Sequence, residues 1–144
     1  MEDIQLLLVD DETAFVETMT KRLAKRGLNA ESAFSGEEAL DKLDNPPRTD
    51  VVVLDVKMPG MDGIETLREI RLRHPLVEVI MLTGHATVET AISGMKLGAF
   101  DYLMKPCELD ELVAKVREAA NKKLGHEQKI LEARARHIAL RRGD

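Results

Sequence analysis

Five short apolar runs divide the chain, and each stops at polar or turn-forming residues. They are Ile4 to Val9, Leu28 to Phe34, Val51 to Asp55, Val77 to Leu82 and Phe100 to Met104. The first, third and fourth are continuous rather than alternating, which predicts strands buried on both faces and hence a parallel sheet. The second is weaker, with Ala30, Ser32 and Phe34 alternating against more polar neighbours.

Helical periodicity fills the gaps between the runs. Phe15, Val16, Met19 and Leu23 recur at helical spacing, with Lys21, Arg22, Lys25 and Arg26 crowding the last turn and Gly27 as a stop. Ser35-Gly36-Glu37-Glu38 reads as a capping box opening a short helix through Leu43. Asn45-Pro46-Pro47 then breaks the chain. Ile64, Leu67, Ile70 and Arg71 mark a third helix ending near His74-Pro75, and a fourth spans about Thr87 to Leu97 before Gly98. A last helix begins near Glu108 and carries Leu109, Leu112, Val113, Val116 and Ala120 inward. Strict strand–helix alternation predicts an α/β fold, with right-handed crossovers covering both faces of the sheet.

The character changes at Asn121. Leu124, Leu131 and Ile138 are seven apart on a basic background. This predicts a folded body over residues 1–120 and a basic helical tail or linker over 121–144. The tail either continues the last helix or forms a separate helix after Gly125, with a frayed linker as the third reading. Two heptads are too few to specify a coiled coil.

Composition sharpens the picture. The 144 residues suffice for one domain with a real core, and 44% apolar with 33% charged residues is a globular balance. Only 3% are aromatic, so the core is aliphatic. Net charge is -5, divided unevenly: residues 121–144 hold 7 Lys/Arg against 3 acids, which leaves 14 against 23 in the first 120. An acidic body argues against direct nucleic-acid binding there. One cysteine, Cys107, permits no internal disulfide and fits a reducing, cytoplasmic setting. No secretory signal and no stretch of membrane-spanning length is visible.

Candidate chemistry follows from how the runs end. Asp10-Asp11, Asp55, Thr83 and Lys105 stand at four strand ends, and a parallel sheet brings its carboxyl ends to one edge. Three carboxylates in one cleft repel one another unless a cation joins them. Lys105 is one such cation; a hard divalent ion is the other, and an oxygen-only set suits Mg²⁺, with Mn²⁺ as the alternative, rather than zinc. An ionised carboxylate is a nucleophile able to form an acyl phosphate, and Lys105 and the Thr83 hydroxyl would take further phosphoryl oxygens.

The motifs LLLVDDE, VVVLDVKMPGMDG, MLTGH and FDYLMKP occur in this order over about residues 4–120. In this the chain resembles the receiver domain of bacterial two-component response regulators. The resemblance implies a flavodoxin-like three-layer sandwich with five parallel strands in the order 2-1-3-4-5 and five helices. It implies that Asp55 takes phosphate from a sensor histidine kinase or phosphotransfer protein. The metal ligands would be Asp11, Asp55 and the backbone carbonyl of Lys57, with Asp10 acting through water. Thr83 and Gly84 would meet the phosphoryl group, Tyr102 would be the switch aromatic, Lys105 the phosphate-binding lysine, and the Lys105-Pro106 peptide cis. Lys57 and His85 would stand at the mouth of the pocket, where they tune acyl-phosphate lifetime.

In this family the face made by the fourth helix, fifth strand and fifth helix switches and often dimerises, so a second copy is a candidate partner. The activity implied is self-phosphorylation and self-dephosphorylation rather than that of a conventional enzyme. A haloacid-dehalogenase-like phosphatase is the rival, but it needs an acid two residues after the nucleophile, where this chain has Lys57. A flavin or nucleotide carrier lacks support, because no Gly-rich loop follows the first run. Segments around Thr83–Ala91 and Gly98–Tyr102 are similar to receivers of σ54-type activators. This leaves open whether the chain is a stand-alone receiver or part of a larger transcriptional regulator.

Overall fold

The computed structural model describes residues 3–142, so Met1, Glu2, Gly143 and Asp144 lie outside it. Ten elements alternate along the chain: β1 (Leu6–Val9), α1 (Thr13–Lys25), β2 (Ala30–Ala33), α2 (Gly36–Leu43), β3 (Val51–Leu54), α3 (Gly63–Arg73), β4 (Glu78–Thr83), α4 (Val88–Lys96), β5 (Asp101–Met104) and α5 (Leu109–Arg142). The strands form one parallel sheet in the order β2-β1-β3-β4-β5, as the expected fold requires.

Every residue of β1, β3 and β4 is buried, because successive side chains of each strand feed two different cores. Leu7, Val9, Val52, Leu54, Val79 and Met81 pack with Leu40, Leu67 and Ile70 on the α2–α3 side. Leu6, Leu8, Val51, Val53, Ile80 and Leu82 pack with Val16, Leu23, Leu112 and Val116 on the α1–α5 side. That two-sided burial explains why the sequence shows continuous apolar runs instead of alternation.

The edge strand β2 is shorter than the run that signals it. Ala33 is its fully buried residue, and Phe34 lies beyond the strand at 39% exposure. Ala33 lies opposite Val9 in the α2–α3 core, whereas Ala30 packs toward the α1–α5 core. An edge strand wedged between two layers has no single inward phase.

Two helix starts also differ in detail. Ser35 Oγ accepts the Glu38 N–H at 3.0 Å, as a capping box requires, but Glu38 Oε1 accepts from Phe34 N–H at 2.8 Å, one residue further back than the pattern predicts. A reciprocal cap does form at α4, between Thr87 and Thr90. Its second partner is a hydroxyl rather than the carboxylate or amide that the sequence pattern looks for.

Helix α5 runs unbroken through Gly125 to Arg142, so continuation of the last helix is the arrangement adopted. Its first turns past residue 120 are fastened to the amino-terminal ends of the central strands. Lys123 is only 3% exposed, with its ammonium 3.0 Å from Asp50 Oδ1 and 3.0 Å from Glu127 Oε2. Asp50 Oδ2 accepts the Gln5 N–H at 2.8 Å, and Arg48 reaches Glu127 at 2.7 Å. Beside them Lys122 lies 3.7 Å from the buried Glu78 carboxylate. The segment 121–127 is therefore tied to the body through Lys122, Lys123 and Glu127, while Leu131 and Ile138 stand exposed on the turns beyond.

Candidate functional site

Strand register sets the site. Val9 lies opposite Leu54, so the next residues, Asp10 and Asp55, leave adjacent strands side by side, and Asp55 N–H donates to the Val9 carbonyl at 3.0 Å. Two strands further on, Thr83 lies opposite Met104, and Lys105 N–H donates to the Thr83 carbonyl at 2.9 Å. The four strand ends singled out in the sequence thus share one edge of the sheet.

At that edge Asp10 and Asp55 are buried and Asp11 is exposed. One carboxylate oxygen from each of the three lies within 4.8 Å of the others. Each buried carboxylate spends one oxygen on backbone: Asp10 Oδ1 accepts from Glu12 N–H at 2.9 Å, and Asp55 Oδ1 from Val56 N–H at 2.8 Å. The remaining oxygens face Lys105, whose ammonium is 2.5 Å from Asp10 Oδ2 and 4.0 Å from Asp55 Oδ2. Glu12 Oε1 is 3.2 Å away, and the Phe15 ring centroid 4.0 Å. The donor set is all oxygen, combines one open carboxylate with two buried ones, and fits a hard divalent cation such as Mg²⁺.

Burial raises the Asp10 carboxyl above its ordinary range, against the lowering effect of its bond to Lys105. Burial works against the Lys105 charge too, but the bond to Asp10 and the charges of Asp10 and Asp55 outweigh it and hold the ammonium above its ordinary pKa. Both groups shift upward, for different reasons. The lysine is firmly cationic, and the buried carboxylate is the group under electrostatic stress.

The surrounding loops are shaped for close approach. Gly63 N–H donates to the Val56 carbonyl at 2.7 Å, and a Cβ on Gly63 would stand 2.0 Å from the Asp55 carbonyl oxygen. Only glycine lets the start of α3 fold back this tightly under the loop that carries Asp55. Asp62 precedes it as the helix cap, its Oδ1 accepting from Glu65 N–H at 2.9 Å. Gly60, at φ +73°, completes the turn signalled by Pro59-Gly60.

A cleft of about 400 Å³ opens over Asp55, lined by Asp11, Glu12, Lys57, Met58, Pro59 and His85. Lys57 and His85 therefore stand at its mouth, both exposed. Thr83 is fully buried, its Oγ1 accepting the His85 N–H at 3.0 Å, and exposed Gly84 runs beside the Lys105 stem. Tyr102 is half-buried against Gly94 and Met81, its hydroxyl 2.6 Å from Thr90 Oγ1. The Lys105-Pro106 peptide is cis. A larger groove of about 680 Å³, lined by Arg22, Lys25, Arg26 and Cys107 among others, lies between α1 and the start of α5. Volume does not select the site there, because the carboxylate cluster lies at the other opening.

Sequence reasoning missed Glu12, Phe15 and Thr90. Glu12 carried a signal, a third acid directly after Asp10-Asp11. Phe15 read as a core position, and the Thr90 contact depends on how α4 lies against β5.

The profile of the response regulator receiver domain matches residues 6–117. The chain is 41% identical over 112 residues to the DNA-binding transcriptional regulator NtrC of Klebsiella pneumoniae, covering 78% of this chain and 24% of that protein. It is 38% identical over 118 residues to the transcriptional regulatory protein ZraR of Escherichia coli K12, covering 82% of this chain and 26% of the other. The chain thus spans about a quarter of the length of these relatives. A CheY-like response regulator receiver domain protein from Methanospirillum hungatei JF-1 superposes with a TM-score of 0.81 at 30% identity, covering 87% of this chain and 99% of that one. With the sheet order, the strand-end carboxylates and the profile in agreement, the chain belongs to the receiver domain family of two-component response regulators.

Proposed function

We propose that Asp55 is the phosphoacceptor of a phosphorelay and that the cleft above it is the transfer site. The observation that carries this reading is the convergence of Asp10, Asp11 and Asp55 within 4.8 Å, with the Lys105 ammonium 4.0 Å from Asp55 Oδ2. Receiver domains of response regulators interact with histidine kinases or phosphotransfer proteins and bind Mg²⁺. Here Asp11, Asp55 and the Lys57 backbone carbonyl would hold the ion, with Asp10 joining through water. When bound, the ion neutralises charge between carboxylate and phosphoryl oxygens.

The chain's own groups do the rest. An Asp55 carboxylate oxygen attacks the phosphorus of a phosphohistidine, the N–P bond breaks, and the imidazole leaves with its electron pair and takes up a proton. Lys105 pairs with one phosphoryl oxygen. The Thr83 hydroxyl and the Gly84 backbone take another, and Thr83 gives up its bond to the His85 N–H. The space it leaves is filled by Tyr102, which gives up Thr90. The face of α4, β5 and α5 then changes shape, and a second copy is the partner we assign to it. The phosphoryl group acts by favouring one of two arrangements, because it binds the switched one better. Later, water hydrolyses the acyl phosphate, with Lys57 and His85 at the cleft mouth limiting its approach. The protein is thus a self-modifying phosphoacceptor working in the cytoplasm. No described helix is long and apolar enough to cross a membrane.

Acetyl phosphate with Mg²⁺ tests the assignment. The parent chain takes up one hydroxylamine-sensitive phosphoryl group by mass, and Asp55→Asn takes up none. Uptake retained by that variant overturns the reading. Lys57→Ala is expected to lose phosphate faster than the parent.

A second reading concerns output. The relatives NtrC and ZraR match over only about a quarter of their length, which favours a receiver belonging to a larger σ54-activator-type regulator, with residues 121–144 as its basic arm. An antiserum raised against residues 1–120 should then detect a species well above 16.1 kDa in native extracts. A single band at that mass would support a stand-alone receiver.

A further inference from the structure

We infer that Phe15 is a positioning residue for Lys105, holding the ammonium by its ring face at the flank of the transfer site. The inference rests on the reading that Lys105 neutralises the phosphoryl group on Asp55. A lysine ammonium is a compact charge on a flexible four-carbon stem, so its usefulness depends on what fixes its place. Of the contacts around it, Asp10 Oδ2 at 2.5 Å and Glu12 Oε1 at 3.2 Å use two of its three donors. The Phe15 ring, centred 4.0 Å away, covers a third side, well inside cation–π range. The Lys105 side chain is left 15% exposed.

Three features set Phe15 apart from an ordinary core residue. The chain holds three Phe, one Tyr and no Trp, so an aromatic ring is a scarce choice in an aliphatic core. Phe15 is half-buried at the edge of the α1–α5 core, where a leucine would serve packing as well. It also sits in the first turn of α1, a rigid element, rather than in a loop. The ring does what the two carboxylates do not. Hydrogen bonds to Asp10 and Glu12 are directional and hold the ammonium back from Asp55. Attraction to a ring face demands no single bond angle and fades gradually with distance from the centroid, so the ammonium can shift toward a phosphoryl oxygen while keeping part of that support.

The test uses the full chain with four substitutions: Phe15→Leu, Phe15→Tyr, Lys105→Met and Asp55→Asn. Phosphoryl uptake from acetyl phosphate and beryllofluoride affinity are measured with Mg²⁺, alongside melting temperature and the proton shift of the Lys105 ε-methylene. Phe15→Leu should slow uptake and weaken beryllofluoride about fivefold, at a melting temperature close to the parent's. Phe15→Tyr should remain within about twofold of the parent. The ε-methylene should be shifted upfield by the ring in the parent and the Tyr variant and should lose that shift in the Leu variant, which reports that the end of Lys105 lies over the ring, while rescue of uptake by Tyr but not by the equally apolar Leu separates ring attraction from packing. Parent-like uptake in Phe15→Leu, equal impairment in Phe15→Tyr, or an unshifted ε-methylene in the parent overturns the inference. If Asp55→Asn keeps its uptake, or Lys105→Met is unimpaired, the underlying site reading fails instead.

Discussion

The Tyr102 hydroxyl lies 2.6 Å from Thr90 Oγ1, so the aromatic side chain of β5 is tied to the first turn of α4. Thr90 also closes the reciprocal cap with Thr87, which makes the start of α4 and the set of the Tyr102 ring one hydrogen-bonded unit. Tyr102→Phe removes the tie and leaves the ring. It should cost about 1 kcal/mol and speed amide exchange over residues 88–91, as read by hydrogen-exchange mass spectrometry. Unchanged exchange there would show that the cap stands without the tyrosine.

Lys123 gives a second prediction. Its ammonium is buried between Asp50 and Glu127, and removing it strands two carboxylates that keep only partial access to water. Lys123→Ala should lower stability in urea by about 2 kcal/mol, less than a fully enclosed pair because Arg48 and solvent still reach Glu127. A chain ending at Ala120 loses the same clamp and should unfold at a comparably lower urea concentration. Equal midpoints for that chain and the parent would mean that residues 121–127 add nothing to the body.

The carboxylate cluster predicts a cation effect on stability. A ligand bound only by the folded state stabilises it by about 2.7 kcal/mol at a hundredfold excess over its Kd. Added MgCl₂ should therefore raise the melting temperature of the parent, and Asp11→Asn should remove most of that rise. A rise of the same size in both proteins would point to screening rather than to a site.

Cys107 supplies a pH test away from the cleft. Burial, with Glu111 and Glu108 nearby, pushes its thiol up to about 11 from an ordinary 9.0. A raised acid pKa means the fold favours the protonated thiol. Thiolate is thus scarce at pH 8, about a hundredfold below an ordinary cysteine. Iodoacetamide should label Cys107 slowly at pH 8, and the rate should climb roughly tenfold per pH unit toward pH 11. Rapid labelling at pH 8 would contradict the burial argument.

Much of this was legible in the sequence because of how strands end. Asp10, Asp55, Thr83 and Lys105 each follow an apolar run, and parallel order alone brings such ends to one edge. What stayed hidden depends on long-range placement. Lys123 sits in a basic stretch that reads as solvated surface, and its partner Asp50 is 73 residues earlier. Phe15 reads as an inward helix position, and nothing local reveals that Lys105 will cross its face. The alternation of Ala30, Ser32 and Phe34 does not report burial in β2, because an edge strand between two cores answers to both layers.

Helix α5 has 34 residues, a rod of about 50 Å at 1.5 Å per residue. Its first four turns are seated on the sheet, and Lys123 fastens the next. Along an unbroken helix each residue advances the azimuth by about 100°, so the compass direction of Leu131 and Ile138 is dictated from the seated end. One residue inserted near Gln128 would swing both to another quadrant, whereas seven would return them almost to their starting bearing. Anything that reads those two side chains is therefore sensitive to spacing in whole heptads.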